Sequence, residues 1–196
     1  YGEYLIPAPW TALAELGGLL GTGLAWREIS ITLFRVLAGF GLALLAGTVV
    51  GMLTVHPFIS GVFKPIIALM QGMPPILWAI PLILILGFGG LAPVVVIACI
   101  CFPLVAVTIG EGMRTVPDHL SGMLRIYAHG TVPRIRELYL PHLAPFLAGA
   151  VHLGVSLGIK ASVVAEYFGA NNGVGFQIQT AYQAFQVRRL FGWTLI

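Results

Sequence analysis

Charge is what this chain has least of. Only 9% of its 196 residues are Asp, Glu, Lys or Arg, whereas a soluble domain carries about 25%. Apolar residues make up 58%, more than a domain of this size can hide from water. A cytosolic enzyme domain and a disordered chain are both excluded. Ten Lys/Arg against seven Asp/Glu leave a net charge of +3, dispersed along the chain, so no nucleic-acid partner is expected. Cysteine is scarce as well. Cys99 and Cys101 stand about 200° apart around a helix and cannot pair with each other there, so they read as small core residues. The five histidines have no metal-ligand spacing, and no metal site is expected. There is no G-x-x-x-x-G-K-[ST] phosphate loop, so this chain is not expected to bind ATP itself. The opening stretch Tyr1 to Pro9 lacks the basic region and cleavage site of a signal peptide.

What is present is long apolar segments. A crossing helix needs about 20 mostly apolar residues. Ile29–Leu53 qualifies with Arg35 as its single charge, and so do Leu91–Gly110, kinked near Pro103, and Leu143–Val164. Val62–Leu86 is interrupted by Pro65, Pro74, Pro75 and Pro81, which predicts a helix, a break near Gly72–Pro75 and a second helix. Because a break inside a membrane needs protein or water around it, Gly72–Pro75 is expected to be buried in the bundle. A fifth span is expected to begin at Leu190. The lipid bilayer is thus the first partner, and the fold class is an all-α integral membrane bundle of about five spans. Residues 1–28 read as an interfacial segment, with Trp10, Leu13, Gly17 and Leu20 on one face of a short helix. Residues 29–196 read as the transmembrane domain. Both ends look interrupted: there is no initiator Met, and Ile196 falls within an apolar run.

Two spans carry small residues at every fourth position: Gly39, Ala43, Gly47 and Gly51, then Ala150, Gly154, Gly158 and Ser162. Each set lies on one helical face and predicts close helix packing within the chain.

The polar stretch 114–141 is different in kind. Pro117 and Asp118 start a helix through Leu120, Leu124 and Tyr127 that stops at Gly130. Pro133 opens a second short helix, expected to end before Pro141. Arg114, Arg125, Arg134 and Arg136 point this helical elbow toward the cytoplasm.

Anchored on Leu138-Tyr-Leu-Pro141, the elbow resembles the cytoplasmic loop of binding-protein-dependent ABC importer permeases. The family's Glu-Ala-Ala falls on Gly122-Met-Leu124 and its glycine on Ala128, so its glutamate and glycine are absent here, and Gly130 stands two residues on. Ile31-Thr-Leu-Phe-Arg35, Gly72-Met-Pro-Pro-Ile-Leu-Trp78 and Glu166-Tyr-Phe-Gly169-Ala-Asn-Asn-Gly173-Val-Gly175 resemble successive segments of the nitrate/sulfonate/taurine branch.

The resemblance implies a type I importer permease in the cell's inner membrane, with six spans in the complete protein, the first of them before Tyr1. It implies a homodimer whose two copies form the pore, an ATP-binding subunit that carries ATP and Mg, and a periplasmic substrate-binding protein that delivers cargo. The resemblance implies no cofactor for this chain itself and makes it a transporter subunit, not an enzyme. The ATPase-coupling residues it implies are Gly122, Leu124, Arg125, Ala128, His129, Gly130, Thr131 and Arg134. For the translocation pathway it implies Met70, Gln71, Met73, Pro74, Trp78 and Glu166.

Two other classes compete with this one. A channel or secondary transporter would use Lys160, Glu166 and the break at Gly72–Pro75 as a midplane site. An intramembrane hydrolase would use Gly154-Val-Ser156-Leu-Gly158, a G-x-S-x-G match, although that chemistry needs a strand–turn–helix and this serine lies inside a span. Lys160 and Glu166 are six residues apart and point in different directions, so they are not expected to pair. Arg35 is expected to anchor the end of its span without meeting an anion.

Overall fold

The computed structural model describes residues 7–117 and 135–196. Every regular element among them is helical: α1 Pro9–Leu20, α2 Gly23–Leu53, α3 Pro57–Gly72, α4 Pro75–Leu86, α5 Leu91–Arg114, α6 Leu140–Gly169, α7 Val174–Gln183 and α8 Val187–Thr194. Three are long and apolar enough to cross a membrane by themselves: α2, α5 and α6, the last as Glu137–Gly169 with the end of the π-helical turn Ile135–Tyr139 that leads into it. A fourth crossing is made if α3 and α4 count as one span, broken by a 100° bend. The fifth expected span corresponds to α8, whose eight residues rise about 12 Å, short of a crossing.

Boundaries differ from the sequence expectation where local chemistry extends a helix. α2 starts six residues earlier than Ile29, because Thr22 caps it by accepting the amide of Ala25 at 3.4 Å. Arg27 and Glu28 therefore ride on the first long helix and not on a separate interfacial segment. At α6 the chain does not stop before Pro141. That proline sits in the first turn of α6, directly after the wider π-helical turn Ile135–Tyr139, and the helix runs on through it. α1 forms as expected: Ala12 and Leu19 pack inward, while Trp10 and Leu13 are exposed.

The centre of the bundle is the α2–α5 contact, onto which α6 packs. One face of α2 is buried along its whole length, and it changes character on the way: Glu28, Thr32 and Arg35 first, then Gly39, Ala43, Gly47 and Gly51. The small-residue half explains the proximity of the backbones. A β-carbon at Gly39 would lie 2.6 Å from the carbonyl oxygen of Val94, and one at Gly47 would lie 2.7 Å from Val105 Cβ. The α6 ladder meets the same core, with Gly154 against the Phe40 ring and Gly158 in ordinary contact with Val36, Ile97 and Cys101. Both ladders thus find partners inside the chain. Cys101 is fully buried among them, and its thiol donates to the Gly154 carbonyl at 3.6 Å.

Candidate functional site

Three places in the bundle carry polar chemistry. The first is a buried network joining α2 to the α6–α7 corner. Arg35 Nη1 donates to Glu166 Oε1 at 2.8 Å and to the Asn172 carbonyl at 2.9 Å, and Nη2 donates to Asn172 Oδ1. Thr32 Oγ1 donates to the Glu166 carboxylate, 2.8 Å from Oε2, and accepts the Val174 amide at 2.9 Å. The Gly175 amide donates to Glu166 Oε2 at 3.0 Å, and the Gly173 amide donates to Glu28 Oε2. Glu28, Thr32, Arg35 and Glu166 are all buried, Glu166 completely.

The Glu166 carboxylate meets the guanidinium, whereas the Glu28 carboxylate takes the Gly173 amide, so both carboxylates face the N-terminus of α7. Its first amides and the positive end of its dipole supply the balance. Gly173 makes this approach possible. Its φ is +100°, and a β-carbon would stand 2.5 Å from the Glu166 carboxylate. The expectation that Arg35 meets no anion is therefore corrected: burial at this depth requires a partner, and Glu166 supplies it. Lys160 takes no part and is exposed. As expected, Lys160 and Glu166 do not pair.

The second place is the break between α3 and α4. Gln71, Gly72, Met73, Pro74 and Pro75 are exposed in the single chain, and Met70 and Trp78 are half-buried. This corrects the expectation that Gly72–Pro75 is buried in the chain's own bundle: the 100° bend turns the break outward. Of the residues implied for the pathway, Met73 and Pro74 lie at this exposed corner, Met70 faces Leu42 and Phe102 of α2 and α5, and Gln71 turns toward Lys64 and Glu111. Glu166, grouped with them by the resemblance, is instead held by Arg35, Thr32 and the Gly175 amide. The indole N–H of Trp78 is buried without an acceptor among the described residues.

The third place is the opposite end of the bundle. Gly122, Leu124, Arg125, Ala128, His129, Gly130, Thr131 and Arg134 lie outside the described residues. The two roots of that segment are joined: Thr115 Oγ1 lies 3.1 Å from His142 Nε2. Beside them a crevice of about 90 Å³ between α3 and α5 is lined by Lys64, Gln71, Glu111 and Arg114. Arg114 reaches Glu111 and Ser60, each at 3.5 Å. The G-x-S-x-G match has no catalytic geometry: Ser156 sits in unbroken helix and its hydroxyl donates to the His152 carbonyl at 3.4 Å.

A multi-pass helical membrane subunit with a bent span, a small-residue core and a polar segment at one end is the class these features define. The chain belongs to the family described as "Binding-protein-dependent transport system inner membrane component", whose model matches residues 39–196. A probable ABC transporter permease protein of Haemophilus influenzae is 27% identical over all of this chain and 80% of its own length. The riboflavin transport system permease protein RibX of Chloroflexus aurantiacus is 28% identical over 97% of this chain and 72% of its length. The taurine transport system permease protein TauC of Escherichia coli is 25% identical over 90% of the chain and 66% of its own. In fold the chain is similar to a solved structure of the inward-facing MetNI methionine ABC transporter. The TM-score is 0.62 with 18% identity, covering 95% of this chain and 89% of that one.

Proposed function

We propose that this chain is the pore-forming subunit of an ATP-driven importer in the inner membrane, working as two copies. ATP and Mg are held by a separate ATPase subunit, and a periplasmic substrate-binding protein delivers the cargo. The observation that carries this reading is the exposed break at Gly72–Pro75. A bent, proline-rich backbone in a membrane needs protein or a water-lined path around it, and a second copy facing this corner supplies both. Met70, Gln71, Met73, Pro74 and Trp78 are then the pathway residues of each copy, and Glu166 acts behind them as a structural anchor. Segment 114–141, its roots joined by Thr115 and His142, is the element that docks the ATPase. The competing channel or carrier reading has less to work with, because Arg35 engages Glu166 and Lys160 stands apart and exposed.

The test is co-purification and transport in vesicles. Gly130→Asp and Ala128→Glu are expected to leave membrane insertion intact, weaken retention of the ATPase subunit and uncouple hydrolysis from transport. Met73→Cys in a Cys99→Ala, Cys101→Ala background is expected to be linked to its counterpart in a second copy by a short bismaleimide. The chain by itself is expected to hydrolyse no ATP. Normal transport by the elbow variants with wild-type ATPase retention would defeat the docking assignment, and full transport by a complex holding one copy would defeat the dimer.

A further inference from the structure

α3 is the helix least secured by its own packing. Ile67 is its one buried residue, and it sits in the wall of the crevice between α3 and α5. Around that isoleucine the crevice gathers polar groups. Lys64 and Gln71 lie one turn before and one turn after it on α3, and Glu111 and Arg114 face them from the last turn of α5. Thr54, the C-cap of α2, and Gly110 close the floor, where a β-carbon on Gly110 would lie 2.8 Å from Thr54 Oγ1.

The charges in this crevice do not cancel. Two cations stand against one carboxylate, and neither cation is committed to it. Arg114 reaches Glu111 at 3.5 Å, against about 2.7–2.9 Å for a charge-assisted bond, and Lys64 makes no ion pair among the described residues. Like charges lining one cleft with apolar walls repel each other unless an anion enters between them. The volume, about 90 Å³, limits what that anion is. Pockets for organic ligands run to about 300–1,000 Å³, so only a small group fits here. A tetrahedral oxyanion bearing one charge matches the excess, and its oxygens accept from Lys64, Arg114 and the Gln71 carboxamide.

We infer that this crevice is a binding site for a phosphate group. α2 ends, α3 begins and α5 ends at this end of the bundle, beside the Thr115–His142 contact, so the headgroups of the adjoining leaflet are within reach. Basic pockets between membrane helices take anionic lipid headgroups, and free phosphate offers the same oxygens. Seated between Lys64 and Arg114, the phosphate fastens to α5 an arm that Ile67 alone otherwise holds. The site does not depend on the importer reading; its influence on ATPase docking, through the root of segment 114–141, rests on it.

The experiment measures binding on the complete transporter, with cargo transport read separately on the same preparations. Two probes separate the sources of phosphate. Phosphatidylglycerol is counted by native mass spectrometry on complex released from nanodiscs of phosphatidylcholine and phosphatidylglycerol in equal parts. Radiolabelled inorganic phosphate is added to complex in phosphatidylcholine alone. Lys64→Gln is expected to weaken binding about tenfold, as loss of one charged donor does, and Lys64→Arg to bind like wild type. Glu111→Gln is expected to tighten binding severalfold, because it removes the carboxylate that faces the anion. Binding of phosphatidylglycerol alone identifies a lipid headgroup, and binding of inorganic phosphate alone identifies a soluble ion; either supports the site. Equal binding of both probes by wild type and Lys64→Gln would overturn it. Weaker binding by Glu111→Gln would also overturn it, in favour of a structural cluster of Lys64, Glu111 and Arg114. Phosphate binding without cargo transport would support the site and count against the importer reading alone.

Discussion

Arg35 and Glu166 stand 131 positions apart in the chain and meet at 2.8 Å, with side-chain exposures of 5% and 0%. Their meeting ties the first half of α2 to the last turn of α6, where α7 begins.

Because both charges are buried, losing one strands the other. Arg35→Ala or Glu166→Ala is expected to destabilise the chain by about 3–5 kcal/mol. Replacing both, Arg35→Met with Glu166→Met, is expected to cost less than the sum of the single changes. Thermal unfolding of the purified variants in one lipid mixture gives the comparison. Additive losses would show that the two side chains do not act as a pair.

Gly173 should tolerate no side chain. Gly173→Ala faces both the φ of +100° and the Glu166 carboxylate 2.5 Å from its β-carbon, and a loss of about 2 kcal/mol or more is expected. Gly41→Ala, in mid-helix with open space around it, is expected to stabilise by up to about 1 kcal/mol. Opposite signs in the same melting assay are the outcome to look for.

The two ladders should respond unequally. Gly39→Ala drives a methyl to 2.6 Å from the Val94 carbonyl oxygen, a backbone atom that cannot turn aside, so α2 and α5 must separate. Gly158→Ala meets its nearest neighbours at 3.4 to 3.7 Å and is expected to be neutral or slightly stabilising. Expression level and thermal midpoint should fall for the first variant only.

The long helices, the break at Gly72–Pro75 and both ladders were legible because each rests on local periodicity or on proline, which act within one segment. The direction of the break was not, since the 100° turn depends on how α3 and α4 pack against α5. The Arg35–Glu166 pair was hidden by distance along the chain. Lys160 is the nearer cation in sequence, six residues from Glu166, yet it points away and Arg35 makes the contact. A usable signal existed nonetheless: Glu28, Thr32 and Arg35 repeat at helical spacing, in register with the glycines that follow, so a polar stripe continues a face already marked as buried.

Stiffness is unevenly distributed over this chain. α2 buries ten residues along its length, several with no room for an added methyl, whereas α3 buries only Ile67 and α4 only Ala79 and Ile83. Lifting the bent arm from its seat would give up the packing of two isoleucines and an alanine, contact that lipid tails largely replace. Prising α2 from α5 would dismantle the interlocked backbones themselves. A mechanical load arriving at either end is therefore carried by the α2–α5 strut with little deformation, and the compliant part that yields is the elbowed arm carrying Met70 to Trp78.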